Sequence, residues 1–384
     1  MKQTDAREVE TMSNTVFLTG ATGNIGGKLL ITILDKDPDA KIIALIRGES
    51  AAAAQSRLEQ ILRVLSPEFD IASIGNRVRV ICGDITQHQL GLSDAAFDKL
   101  ASEVTHIIHS AAGIQFTLPL ACARQVNFVG TINVMYLAQR AVEIGQLRNV
   151  AHISTAYVCG DRDGWIFEDE SVAPQQFSNT YEQTKFEAEQ YVRTLMPKLP
   201  ITILRPSIVV GDSQTGRTLT FNVLYSPLKF IYKGIIRALT CDPATPLDVV
   251  PLDYVAKVVH HILFRTEPTG KTFHIVAGAA AAPSVGGVVR HFLDYLGRNL
   301  AGANGRVPSL DQSNDGKIAG NPRTLQLMAV FDPYLKVTRH FDNANTLTAL
   351  LGSGIALPSF TGYFDKLLDY CFAVNWGRTL RHAA

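Results

Sequence analysis

The segment NTYEQTKFEAEQ, residues 179–190, places Tyr181 and Lys185 four apart in what reads as a charged helix. Residues i and i+4 share a helix face, so a phenol and an ammonium can enter one cleft. A free phenol has a pKa of about 10 and is a poor acid–base group at neutral pH. A neighbouring ammonium stabilises the phenolate and turns the tyrosine into a workable proton donor. The same lysine can hold a nicotinamide ribose. Taken alone, such a pair is common on charged helices. Upstream, however, the apolar run NVAHIST ends in Ser154 and Thr155, either of which could hydrogen-bond a substrate oxygen.

A second constellation lies near the start of the chain. The run VFLTG leads into GATGNIGG, with Gly20, Gly23 and Gly26 spaced G-x-x-G-x-x-G around Thr22, Asn24 and Ile25. Glycines serve there because a tight turn must bring bare backbone N–H groups against a pyrophosphate at a helix N-terminus. The setting, after a strand and opening a helix, is that of a dinucleotide site. The second strand ends in Arg47, where folds specific for NAD carry an acid on the ribose hydroxyls; a guanidinium suits a 2′-phosphate instead. Arg57, ten residues on, can close over the same phosphate, so NADPH is the expected cofactor. In GDIT, Asp84 can accept the adenine amino group while Ile85 flanks the ring. Ser110, Ala111 and Ala112 are small enough for backbone to approach the ribose and pyrophosphate.

These residues need a frame. The runs at 16–20, 41–47, 77–84, 106–112, 149–155 and 201–211 read as strands, most of them continuously apolar, as a sheet covered on both faces requires. Helical intervals separate them, which predicts an α/β fold with a doubly wound parallel sheet of Rossmann type. Residues 1–14 read as a flexible polar tail and 15–211 as the NADP-binding domain, with 247–277 returning to its sheet. Residues 212–246 and 278–384 read as a smaller C-terminal substrate lobe, and 301–322 as an exposed mobile loop.

Of the 384 residues 46% are hydrophobic and 18% charged, the profile of a globular enzyme. A formal net charge of +1 offers no bulk field for nucleic acid or an anionic membrane. Five scattered cysteines without paired spacing argue against disulfides and zinc, so no metal is expected. The N-terminal segment has no apolar core of a signal peptide, and FNVLYSPLKFIYKGIIRAL is interrupted by Pro227, Lys229 and Lys233. No transmembrane segment and a cytoplasmic location are expected. His274 and the pair His260–His261 receive no role, whereas Gln115 and Phe116 in GIQFTLPL are candidates to line an acyl site.

With TGATGNIG, ISTAYVCG, YEQTK and LRPSIVVGD in this order, residues 15–212 resemble the extended short-chain dehydrogenase/reductase superfamily. In its S/T-x-x-x-x-G turn the active hydroxyl stands five before the glycine; counting back from Gly160 selects Thr155. The resemblance also implies supporting roles at the cofactor for Asn127, Pro206 and Ile208. The segments LIRGESAAAAQSRLEQIL, GDITQHQLGLSDAAFDKLASEVTHIIHSAA and LDVVPLDYVAKVV are similar to the thioester reductases and fatty acyl-CoA reductases. This branch implies hydride transfer from NADPH to an acyl thioester, giving an aldehyde and, with a second hydride, an alcohol. Thr155 and Tyr181 would polarise the carbonyl oxygen, with Lys185 tuning the phenol. Because only a short tail precedes the first strand, the acyl group is expected on a separate carrier protein or on coenzyme A. A sugar-nucleotide or steroid-type epimerase or dehydrogenase sharing the triad is the alternative.

Overall fold

The computed structural model describes residues 13–380 except 171–175, 222, 239–240, 267–268, 301–333 and 336. The stretch 301–322 and most of the N-terminal tail therefore lie outside the described residues. Seven strands form one parallel sheet: β1 (Thr15–Thr19), β2 (Lys41–Ile46), β3 (Val78–Cys82), β4 (His106–His109), β5 (Asn149–Ile153), β7 (Ile201–Pro206) and β10 (Thr272–Ile275). Their spatial order is β10-β7-β5-β4-β1-β2-β3. The order reverses between β1 and β4, which opens a crevice at the carboxyl ends of these neighbours.

The continuous apolar runs are explained by two covered faces. One face packs on α1 (Asn24–Lys36), α2 (Ala51–Leu65) and α8 (Leu252–Arg265), through residues such as Leu30, Leu58 and Val259. The other packs on α3 (Asp94–Glu103), α5 (Gly130–Ile144) and α6 (Thr180–Leu195), through Leu100, Val134 and Val192. A short helix α4 (Leu120–Arg124) runs into α5 through a π-helical turn, Gln125–Val129.

Two segments differ from the expected strands. The run 201–211 breaks after Pro206: β8 (Ile208–Val210) leaves the main sheet and pairs in parallel with β9 (Val249–Pro251). Of the stretch 247–277, β9 thus belongs to this separate ladder, and β10 alone joins the main sheet, beside β7. The period of an apolar run shows that a strand is buried but not which partner it takes, so it does not separate the two ladders.

A further buried cluster gathers beyond the sheet. It joins β8 and β9 to α7 (Tyr225–Tyr232), α9 (Val285–Leu300) and the terminal helix Phe360–Ala373, with Leu228, Phe292 and Leu367 at its centre. A small parallel ladder of β6 (Gly164–Ile166) and β11 (Arg339–Phe341) brings the C-terminal segment back beside the chain that follows β5. Among the described residues no helix is long and apolar enough to cross a membrane.

Candidate active site

The glycine loop is shaped by close backbone approach. Gly20 has φ +76°, and a Cβ there would stand 2.7 Å from the Ala111 nitrogen. A Cβ on Gly26 would meet the Gly20 carbonyl oxygen at 2.2 Å. Gly23 instead faces open space apart from that oxygen, and no side chain caps the first turn of α1. The N–H groups of that turn are therefore available to an anionic ligand.

Two adjoining clefts meet at this loop and share Gly23, Ser110 and Ala112. The first is lined by Asn24, Ile25, Gly26, Thr155, Tyr181, Pro206 and Ile208. The second is lined by Gly20, Thr22, Arg47, Arg57, Asp84, Ile85 and Ala111. The Arg57 guanidinium lies 3.5 Å from the Arg47 carbonyl oxygen, and both arginines are exposed. Asp84 accepts a hydrogen bond from the Thr86 N–H at 2.8 Å, and Ile85 is buried against Gly130. A dinucleotide fits this groove: its middle is backbone, its far end is flanked by two cations, and side chains at Gly20 or Gly26 would collapse it.

Some of the expected site residues act one step away. Asn24 spends its amide on Thr218 and Thr220, each 2.8 Å away, and on the Leu219 N–H at 2.7 Å. Asn127 lines neither cleft. Its amide closes on both polar atoms of the Gly113 backbone and donates to Thr184 at 2.9 Å, fastening the loop after β4 to α6. Phe116 lines the first cleft, whereas Gln115 is exposed and does not.

Helix α6 carries the Tyr–Lys pair. Asn179 caps it by accepting the Glu182 N–H at 2.9 Å. Burial pushes the Tyr181 phenol up to about 12, and a hydrogen bond with Thr155 partly opposes the rise. Lys185 is also buried, which brings its ammonium down to about 8, while Glu189 works the other way. Its Nζ donates to the Ile153 carbonyl at 2.7 Å. The phenol is therefore not held low as the sequence suggested: desolvation dominates it, and a buried ammonium must take an acceptor, here the last carbonyl of β5.

The structure separates the two candidate hydroxyls. Ser154 donates to Glu189 at 2.7 Å inside a buried ionic network. Glu189 also receives Arg205 through both oxygens, at 3.0 and 2.5 Å, and Arg193 at 2.9 Å. Burial raises the Glu189 carboxyl, but Arg205, Arg193 and Ser154 outweigh it and hold it below the usual carboxylate range. Ser154 and Thr155 both line the first cleft, but Thr155 is less committed: its hydroxyl donates to the Pro206 carbonyl at 3.4 Å and accepts the Tyr157 N–H at 3.3 Å, both long, and it adjoins the Tyr181 phenol. His274, assigned nothing from sequence, contacts Arg205 at 3.1 Å and the Asp342 carbonyl at 2.7 Å. His260 sits 2.5 Å from Asp37 and His261 3.1 Å from the Ala349 carbonyl, far from the glycine loop in role. Among the described residues no cluster could hold a metal ion.

Comparison with known proteins agrees with this architecture. Residues 18–259 match the family model described as Male sterility protein. The chain is 30% identical to the L-2-aminoadipate reductase large subunit of Penicillium chrysogenum, over 93% of this chain and 27% of that protein. It is 29% identical to the aldehyde reductase lnbA of Aspergillus flavus, over 68% of this chain and 26% of that protein. The chain thus spans about a quarter of the length of these curated relatives. Among solved structures, the terminal R domain from the myxalamid PKS-NRPS biosynthetic pathway superposes with a TM-score of 0.81 at 27% identity. That likeness covers 96% of this chain and 92% of the other. The protein belongs to the Male sterility protein family, an NAD(P)-binding, reductase-type branch of the extended short-chain dehydrogenase/reductase superfamily.

Proposed function

We propose that this chain is an NADPH-dependent reductase that converts acyl thioesters, presented on a carrier protein or on coenzyme A, to aldehydes. The observation that carries this reading is that Thr155 and Tyr181 line one cleft, which continues past Gly23, Ser110 and Ala112 into one flanked by Arg47 and Arg57. In this reading the first turn of α1 and the glycine loop hold the pyrophosphate, Arg47 and Arg57 the 2′-phosphate, and Asp84 with Ile85 the adenine. Ser110 to Ala112 approach the ribose through backbone, and Lys185 holds the nicotinamide ribose. NADPH, when bound, supplies the hydride.

The chain's own residues supply the proton and the oxygen site. A phenol raised to about 12 keeps its proton at neutral pH, which is the state a donor needs in the reductive direction. Thr155 and Tyr181 donate to the substrate oxygen as it gains negative charge, and the buried setting strengthens both bonds. Proton delivery from Tyr181 yields a neutral hemithioacetal, whose collapse expels the thiol and leaves the aldehyde. Pro206 and Ile208 line this end of the cleft with apolar surface.

The test follows NADPH absorbance and traps aldehyde with a hydroxylamine reagent, offering a long-chain acyl-CoA and then an acylated carrier protein. Tyr181→Phe should lower kcat by about 10²–10⁴-fold while leaving NADPH affinity in place. The proposal fails if no thioester oxidises NADPH while NAD binds tightly, or if Tyr181→Phe stays within about tenfold of the parent.

A further inference from the structure

The catalytic cleft has a wall that the proposed reaction does not use. Tyr334, from the C-terminal segment, lines it together with Phe116 and Tyr157, in the same cleft as Tyr181. The Tyr334 ring stacks on Phe116 at 5.8 Å and meets Tyr157 edge-on at 5.0 Å; Phe116 in turn lies 5.9 Å from the Tyr181 ring. A contiguous aromatic series therefore runs from the proton donor into the remainder of the cleft. Among the described residues lining that cleft, none carries a side chain charged at neutral pH.

The position of Tyr334 is set by the helix that bears Tyr181. Its hydroxyl donates to the Glu182 carboxylate at 2.6 Å and accepts from the Asn179 amide at 3.0 Å. Glu182 follows Tyr181 directly, is buried, and accepts the Ser178 N–H through its other oxygen at 3.0 Å. The residues that cap α6 are thus the ones that latch this distant ring. Burial raises the Glu182 carboxyl, and the bonds from Tyr334 and Ser178 oppose that rise, so the latch also satisfies a buried acceptor.

We infer that Tyr334 is a specificity-determining residue, and that the acyl group held beside it is uncharged and apolar at the carbons next to the thioester. The inference rests on the reductase reading and names the substrate class of the same site. Rings and aliphatic chains stabilise an apolar acyl group by burial, whereas an anion there would meet no charged partner among the described residues that line the cleft. A quaternary cation is the one charged group that ring faces can attract, so it forms a separate arm of the test.

The experiment uses four pantetheine thioesters, hexanoyl, phenylacetyl, succinyl and trimethylammonioacetyl, with the full chain and NADPH. The matching amides, which are not reduced by this route, are titrated calorimetrically. The two neutral groups should exceed both charged ones by about 10²-fold in kcat/KM, with the same ranking in amide affinity. Tyr334→Ala should shrink that ratio by about tenfold, since it removes the wall. Tyr334→Phe keeps the wall and loses the latch, so it should lower kcat/KM for all four groups alike and keep the ranking. A merely structural role would shift all four groups equally in both variants. Equal use of charged and neutral groups, selection of the trimethylammonio group, or an unchanged ratio in Tyr334→Ala would overturn the inference. If no thioester is reduced, the reductase reading fails alone, and the amide ranking still decides the role of Tyr334.

Discussion

Two halves of one groove are built from opposite materials. Around Arg47 and Arg57 the lining is exposed and cationic, with Asp84 at the turn and solvent on one side. Around Tyr181 the lining is largely aromatic and aliphatic, and its polar groups are uncharged: the Asn24 amide and hydroxyls, of which Ser154, Thr155, Tyr157, Ser207 and Tyr334 are buried. The join is the backbone of Gly23, Ser110 and Ala112, where neither charge nor a large side chain is present. In the proposed reaction the contrast separates tasks that need different dielectrics. Gripping a phosphate tolerates water, whereas stabilising a developing oxyanion gains from its exclusion.

The largest expected effect distinguishes two neighbours within the buried half. In the proposed reaction Thr155→Ala removes a donor to the reacting oxygen, so it should lower kcat by about 10²–10³-fold, the usual size for such a donor. Ser154→Ala should leave kcat within a few fold, because its hydroxyl is spent on Glu189. It should instead lower stability, by about 1–3 kcal/mol for a buried acceptor left short of one donor. Steady-state kinetics and thermal melts on both variants check the pair; a kinetic loss in Ser154→Ala equal to that in Thr155→Ala would reverse the assignment.

The two halves were also unequally legible in the sequence. The cofactor half follows from local rules, since Gly20, Gly23 and Gly26 lie within one strand–turn–helix unit and Arg47 ends the next strand. The family resemblance, through its S/T-x-x-x-x-G turn, implies Thr155, and helical period sets Tyr181 and Lys185 on one face. Tyr334 had no such signal: it lies 152 residues from Glu182, and the ladder of β6 and β11 is one of the long-range contacts that return that part of the chain to the site. The ionic network under Ser154 was equally hidden. Glu189 reads as one more charge on an amphipathic helix until Arg205 on β7 is seen to face it. Periodicity reports burial of apolar residues, and buried ion pairs run against it. The same limit hid the lysine's partner, because a backbone acceptor such as the Ile153 carbonyl leaves no trace in residue types.

A smaller effect should appear in the pH profile of the buried half. Lys185 is brought down to about 8 by burial, so its ammonium loses its charge as pH rises through that value. Tyr181, raised to about 12, keeps its proton over the same range. If the charged ammonium is the form that holds the ribose, kcat/KM should be level below pH 8 and fall about tenfold per unit above it. Lys185→Met should lie low and flat across that window. A parent profile that is level up to pH 10 would show that the charge on Lys185 is not used.

The smallest effects belong to the exposed half, and they test whether its charge is recognition alone. Arg47→Ala should weaken NADPH by about tenfold, the scale of one charge-assisted contact, and leave NADH nearly unchanged. Arg57→Ala should weaken NADPH by only about two- to fivefold, as an exposed guanidinium is well solvated without its partner. Salt separates this half from the other. Raising ionic strength from about 0.1 to about 1 M shortens the Debye length from about 10 to about 3 Å, so the Arg57→Ala difference should vanish. Affinity for a neutral acyl amide, held by rings and aliphatic chains, should not weaken over the same range, because apolar burial is not screened. Fluorescence titration of NADPH and calorimetry of the amide measure the two dependences on one preparation. If amide affinity fell with salt in parallel with NADPH affinity, charge would reach the buried half, and the division at Gly23, Ser110 and Ala112 would be wrong.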